Sequence, residues 1–264
     1  MLMFVFSLCT TIFAADNTLE EIKRRGVLMA GVRDYTPGLG SVDENTGEIV
    51  GYDVDFVRAI ANKLGVKLQL QPVTSAGRIS HLKNGDIDII AATLSKTAER
   101  AEQIDFSYTY LLTCQKFIVK KGTVKDLADF NNKKIGAAKG STSGQNVYKA
   151  LPMAKILHFD DYPQAFLALR QNNIFAITTD EPILVNLLSE MPDKERFEIP
   201  DISIADELYG FGIRKGEKKF LDFVNKTLLE MEKNGEAKKI FNKWFGPNSK
   251  TPLKRGSFRI TAGK

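Results

Sequence analysis

The strongest constraint in this chain is an alternation of short apolar runs with longer helical ones. Val27 to Val32 reads as a buried strand, GYDVDFVRAIANKLG from Gly51 as an amphipathic helix, and Val66 to Val73 as the next strand. In the helix, Val54, Val57, Ile60, Ala61 and Leu64 recur at three- and four-residue spacing and share one face. Gly65 stands where a left-handed residue closes a helix. Strands joined through a helix run parallel, and a mostly parallel sheet carries helices on both faces. Ahead of these elements, Thr18-Leu-Glu-Glu21 reads as a capping box opening a short helix that stops near Gly26.

A second alternating series begins at Val124. It reads as a helix, a strand Lys134 to Ala138, a Gly-rich loop and helix, a strand Lys155 to Phe159, a helix Tyr162 to Gln171, and a strand Phe175 to Thr179. Pro182 then opens another helix, where no amide donor is needed. LKNGDIDIIAATLS from Leu82 and LRQNNIFAITTDEP from Leu169 match each other: each ends a helix, turns through Asn and builds an apolar strand that stops at Thr and polar residues. The fold class expected is α/β, with two similar lobes. TCQKFIVKKG around Cys114 and LYGFGIRKG around Gly210 are candidates for two crossover strands between them. The first lobe would comprise residues 16–113 and 207–247, the second residues 114–206, with residues 248–264 a C-terminal extension.

The opening MLMFVFSLCTTIFAAD is too short an apolar run to span a bilayer as a helix and ends in small residues, so residues 1–15 read as a secretory signal peptide. Cys9 falls inside it, which leaves Cys114 as a lone, buried and inert thiol with no internal disulfide. Of 264 residues 43% are hydrophobic, enough for a real core, and the net charge of +5 comes from dispersed Lys and Arg. No basic stripe is interleaved with aromatics, so a solvated basic surface is expected and nucleic acid is not.

In open α/β sheets, ligands lie at the carboxyl ends of the strands. The polar residues there are Arg33 and Asp34, Thr74 to Arg78, Thr93, Ser95 and Arg100, and, in the second series, Gly140 to Ser143 with Asp180 and Glu181. An arginine fork binds carboxylate and keeps its charge, and a carboxylate such as Asp180 suits an ammonium. Together the set is complementary to an acidic amino acid. Singly, an Arg is more often a salt-bridge residue, and Asp180 before Pro182 could merely cap a helix. GAAKGSTSG lacks phosphate-loop spacing, and His81 and His158 stand apart without metal-ligand neighbours, so neither metal nor cofactor is expected. No nucleophile stands beside a His.

LEEIKRRGVLMAGVR, GEIVGYDVDFVRAIANKLG, NGDIDIIAATLSKTAERAEQIDFSYTYL and NGEAKKIFNKWFG span nearly all of the chain after residue 15. In these segments it resembles the periplasmic solute-binding proteins of ABC transporters for polar amino acids, family 3, with the two-lobed type II fold. The resemblance implies that Arg100, at the end of Thr93-Leu-Ser95-Lys-Thr97-Ala-Glu99-Arg100, clamps the ligand α-carboxylate. It further implies that Thr93 and Ser95 hold the ligand from the first lobe, that Thr142 adds contacts from the second, and that Asp180 receives the α-ammonium. Thr74-Ser75-x-x-Arg78 is similar to the motif of glutamate/aspartate binders for the side-chain carboxylate, and Arg33 stands where binders of basic ligands tend to have Asp. Tyr162 occupies the place of a His near the ligand in a relative. The implied protein is a periplasmic, non-enzymatic monomer that passes glutamate or aspartate to a membrane permease. Glutamine, or another polar amino acid, is the alternative ligand. The alternative class is a prephenate-type dehydratase on the same fold, with Glu181 as general acid.

Overall fold

The computed structural model describes residues 17–263; the signal-peptide reading of residues 1–15 lies outside them. The first part of the chain builds α1 (Thr18–Arg25), β1 (Val27–Val32), β2 (Tyr35–Thr36), β3 (Gly40–Val42), β4 (Ile49–Val50), α2 (Tyr52–Leu64), β5 (Lys67–Pro72), α3 (Arg78–Asn84), β6 (Ile89–Ala91), α4 (Ala98–Gln103) and β7 (Ile104–Phe106). A long strand, β8 (Leu111–Lys120), then leads into β9 (Lys134–Ala138), α5 (Ser143–Ala150), β10 (Lys155–Phe159), α6 (Tyr162–Arg170), β11 (Ala176–Asp180), α7 (Glu181–Ser189) and β12 (Phe197–Glu198). The return is β13 (Ala205–Tyr209), β14 (Gly212–Arg214), α8 (Lys218–Lys233) and α9 (Glu236–Phe245).

Two large sheets result, one per lobe, beside a small antiparallel sheet β2-β3-β4. The first has the order β5-β1-β6-β14-β7 and the second β10-β9-β11-β8-β12, with β13 also paired to β8. β1 runs parallel to β5 and β6, and β9 parallel to β10 and β11, as strands joined through helices must. One strand in each sheet runs against the others: β14, antiparallel to β6 and β7, in the first, and β8, antiparallel to β11, β12 and β13, in the second. β8 and β13 are the two crossover strands, paired from Leu111↔Tyr209 to Gln115↔Ala205. This fixes an α/β type II architecture in which the strand-end loops of the two sheets face each other.

Aromatic packing secures the hinge side. Tyr110 lies flat on Phe211 at 4.2 Å between centroids, and Tyr52 stacks on Tyr110 at 6.0 Å. All three rings are fully buried, and such pairs add about 0.5–1.5 kcal/mol beyond the area they bury. They clamp the start of α2 onto the crossover segment, and Tyr52 Oη donates to the Tyr110 carbonyl at 3.0 Å.

Three local expectations are corrected. Thr18 is the first helical residue, not a cap: Asn17 is the N-cap without a side-chain bond, and Thr18 instead ties α1 to the start of α8 through Glu217 Oε2 at 3.1 Å and to Arg214 at 2.9 Å. After Val124 there is only a short 3-10 turn, Leu127–Phe130, opened by an Asp126/Asp129 capping box and ended at Asn131, which leaves the helical conformation. Cys114 is half-buried on β8, not enclosed, with its Sγ facing Glu181.

The segment after α9 is held to the first lobe by Arg255, paired with Glu232 of α8, and by the buried Ile260, whose N–H donates to Glu232 at 3.1 Å. Between these anchors and α9 it reaches the second lobe. Thr251 Oγ1 donates to Asn186 Oδ1 on α7 at 2.9 Å, and Lys250 pairs with Glu190 at 2.6 Å. Among the described residues no helix is long and apolar enough to cross a membrane.

Candidate functional site

Every strand end that faces the cleft delivers a polar residue to it. β1 ends one residue before Arg33, β5 leads through Ser75 to Arg78 at the start of α3, and β6 is followed by Thr93 and Ser95. From the other sheet, β9 leads to Gly140 and Thr142, β10 to Tyr162, and β11 ends on Asp180. All nine side chains expected at the site, Arg33, Ser75, Arg78, Thr93, Ser95, Arg100, Thr142, Tyr162 and Asp180, are at most 9% exposed. Three arginines with so little exposure are not surface salt-bridge residues.

The guanidinium groups are oriented by backbone carbonyls. Arg33 Nη1 donates to Val73 at 3.1 Å, its Nη2 reaches Tyr35 Oη, and its plane lies 4.4 Å from the Tyr35 ring centre. Arg78 Nη1 donates to the carbonyls of Ala92 and of Thr93, the latter at 3.1 Å. Arg100 Nη1 donates to Ser95 at 2.8 Å. Thr93 and Ser95 therefore hold arginines through their main chain. The acceptors are neutral, so none of the three guanidinium groups makes a direct ion pair with a carboxylate among the described residues, and the carboxylates Asp53, Asp180 and Glu207 act on them only from a distance.

Burial lowers the proton affinity of Arg78 to about 9, and the neighbouring charges of Arg100 and Arg33 push the same way. Burial likewise lowers Arg100, opposed by Glu207 and Asp180. The Tyr162 phenol, which accepts from Thr179 Oγ1 at 2.6 Å, is raised by burial and by Asp180, against Arg33 and Arg78. These mutual influences tie Arg33, Arg78, Arg100, Tyr162 and Asp180 into one electrostatic cluster.

Asp180 stands at the N-cap of α7 but makes no side-chain capping bond; its Oδ2 accepts from Tyr209 Oη, and its buried Oδ1 has no protein partner. The capping alternative is thereby removed. Burial, then the charge of Glu207, pushes the Asp180 carboxyl up to about 7, against the Tyr209 bond and the arginines. The buried Nε atoms of Arg33 and Arg78 also have no protein partner. A buried unpaired polar atom costs about 1–3 kcal/mol, and three of the seven found among the described residues belong to this electrostatic cluster.

The lobes touch at a seam. Arg100 Nη2 donates to the Gly140 carbonyl at 2.9 Å. Gly140 has φ +72°, and a Cβ there would lie 2.5 Å from Ala76 Cα, so only glycine permits this approach. A cavity of about 270 Å³ at the seam is lined by Ser75, Ala76 and Arg100 from one side and Gly140, Thr142 and Gln145 from the other.

Two site-forming residues escaped the sequence reading. Asp53 is buried at the start of α2. Its Oδ2 accepts from the Thr93 N–H at 2.8 Å and its Oδ1 from Tyr110 Oη at 2.8 Å. It holds Thr93 at φ +50°, an uncommon conformation for a residue with a Cβ. Burial raises Asp53 to about 6 against these bonds and the arginines. Glu207, on crossover strand β13, is 4% exposed and accepts from Thr142 Oγ1 at 2.9 Å and Asn146 Nδ2 at 2.8 Å. The available signals were a polar residue at the core-facing start of a helix, and the period of two that puts Glu207 on the face of Tyr209.

Residues 28–247 match the family model described as bacterial extracellular solute-binding proteins, family 3. The chain is 36% identical over 233 residues, 86% of this chain and 84% of the relative, to a glutamine-binding protein of an ABC transporter in Bacillus subtilis (strain 168). It is 29% identical over 244 residues, 88% of this chain and 80% of the relative, to a glutamate/aspartate import solute-binding protein of Escherichia coli (strain K12). Among solved structures, an ancestral arginine-binding protein bound to glutamine superposes with a TM-score of 0.79 at 39% identity, covering 84% of this chain and 99% of that one.

Proposed function

The chain belongs to family 3 of the bacterial extracellular solute-binding proteins, and we propose that it captures an acidic amino acid, glutamate or aspartate, between its lobes and hands it to a membrane permease from the periplasm. The single observation that carries this reading is three buried guanidinium groups, Arg33, Arg78 and Arg100, oriented by neutral acceptors and close enough that the charges of Arg33 and Arg100 act on Arg78. Arg100 and the adjoining Ser95 would take the α-carboxylate, Asp180 Oδ1 the α-ammonium, and Arg78 with Ser75 and Arg33 the side-chain carboxylate. Tyr162 and Thr142 would bound the ligand from the second lobe. No covalent step is involved: ligand bound to one lobe favours closure by as much as it prefers the closed state.

A second reading, capture of glutamine, is supported by the 36% identical Bacillus subtilis relative, a glutamine-binding protein, and by a second cleft carboxylate, Glu207. A thermal-shift screen of the full chain against all amino acids tests both. Ligand at a hundredfold excess over Kd stabilises by about 2.7 kcal/mol, so a true ligand stands clear of the rest. Stabilisation by glutamate or aspartate supports the first reading and by glutamine alone the second; no response to any of the three discards both.

A further inference from the structure

The buried charges of the cleft balance. Among the described residues, the charged side chains at least nine-tenths buried there are Arg33, Arg78 and Arg100 against Asp53, Asp180 and Glu207. The other carboxylates buried as deeply, Asp88 and Glu217, lie elsewhere, with Arg25 and Arg214 and with the Thr18 N–H respectively. An amino acid with an uncharged side chain brings one positive and one negative group and leaves this balance intact. A dicarboxylic one adds a surplus negative charge to a desolvated space, which is costly unless a buried carboxylate takes up a proton.

Each carboxylate is faced by a defined set of groups. Asp53 meets Tyr110, the Thr93 N–H, Arg78, Arg33 and Tyr52. Asp180 meets Tyr209, Glu207, Arg78, Arg100 and Tyr162. Glu207 meets Thr142, Asn146, Arg100, Asp180 and Tyr209. Asp53 is committed to holding Thr93, and Asp180 presents an oxygen with no protein partner. Glu207 differs: the two donors it accepts from are neutral, and a glutamine amide oxygen would accept from both equally well. Its shape serves the start of α5, while its charge serves only the balance of the cleft.

We infer that Glu207 is a specificity-determining residue: its charge offsets one of the three cleft arginines, so that a net-neutral polar amino acid is captured without proton exchange and an acidic one is captured together with a proton. The inference rests on the reading of the cleft as an amino-acid site. It accounts for a triple-arginine cleft in a chain whose relatives include binders of glutamine and of glutamate.

Titration calorimetry of the full chain with L-glutamate and with L-glutamine at pH 7.5, each in two buffers of different ionisation enthalpy, tests it by counting protons. Glutamate should take up more protons than glutamine. Glu207→Gln, which keeps both hydrogen bonds, should remove that difference and move the glutamate-to-glutamine affinity ratio toward glutamate by about tenfold or more, the effect of one charge at short range in a protein interior. Equal proton counts for the two ligands in the wild type overturn the inference whatever the variant does, and so does an unchanged ratio in a folded, binding Glu207→Gln protein. A wild type that binds neither ligand removes the amino-acid reading first, and this inference with it.

Discussion

Arg100 and Gly140 meet across the two lobes: the arginine Nη2 donates to the glycine carbonyl at 2.9 Å, while Nη1 of the same side chain holds Ser95 in its own lobe at 2.8 Å. One guanidinium thus ties a loop of its own lobe to the seam, and under the proposed function its removal would act on both ligand and seam.

Arg100→Ala is expected to eliminate binding of every amino acid. Truncating one partner of a buried charge pair costs about 2–5 kcal/mol. Calorimetry on the folded variant checks this, and binding at wild-type affinity contradicts the assignment.

Arg78→Ala should abolish glutamate and aspartate binding while the fold survives, since the residue sits at the first turn of the short helix α3 and, among the described residues, its side chain donates to the carbonyls of Ala92 and Thr93 alone. Unchanged glutamate affinity in this variant would refute the role given to Arg78.

Gly140→Ala places a methyl where only 2.5 Å separates the Cβ site from Ala76 Cα, on a residue at φ +72°. Strain of this kind costs about 1 kcal/mol or more. The variant should stay folded, bind ligand more weakly, and keep a larger radius of gyration in small-angle scattering at saturating ligand; wild-type compaction would show that the seam is not needed for closure.

Asp180→Asn should change stability in a pH-dependent way. The folded-state carboxyl is raised to about 7 from an ordinary value near 4, so the wild type holds a proton that the unfolded chain has lost across that window. Stability from this group is full below about pH 4 and declines as pH rises toward 7. The stabilising effect of the substitution on ligand-free protein should therefore grow from pH 4 to pH 7, with a limiting slope of about 1.4 kcal/mol for each step of one in pH, and then level off. Urea melts at pH 4.5, 6 and 8 measure it; a pH-independent difference contradicts it.

Thr251→Val removes the hydroxyl that bonds Asn186 of the second lobe from a segment anchored on the first. A hydrogen bond made in the closed arrangement contributes about 1 kcal/mol, so affinity should fall about fivefold. A Kd equal to wild type would mean that this contact does not follow closure.

The amino-acid sequence by itself carried the fold class and the buried polar residues at its strand ends. The strands Val27–Val32, Lys134–Ala138 and Lys155–Phe159 were legible to the residue because apolar runs bounded by Gly, Asp and Lys encode local structure. The polar residues that gather at the strand ends were legible because strand ends can be read locally. Tertiary structure decided the rest. Thr18 reads locally as a helix cap, yet it lies inside α1, its N–H taken by Glu217 and its hydroxyl accepting from Arg214, both about 200 residues away. Glu207 and Asp53 look like ordinary acidic residues of a strand and a helix. Only the convergence of β13 and α2 on the cleft gives their charges meaning, because a charge acts through its distance and its burial, and neither quantity is written in the order of the residues.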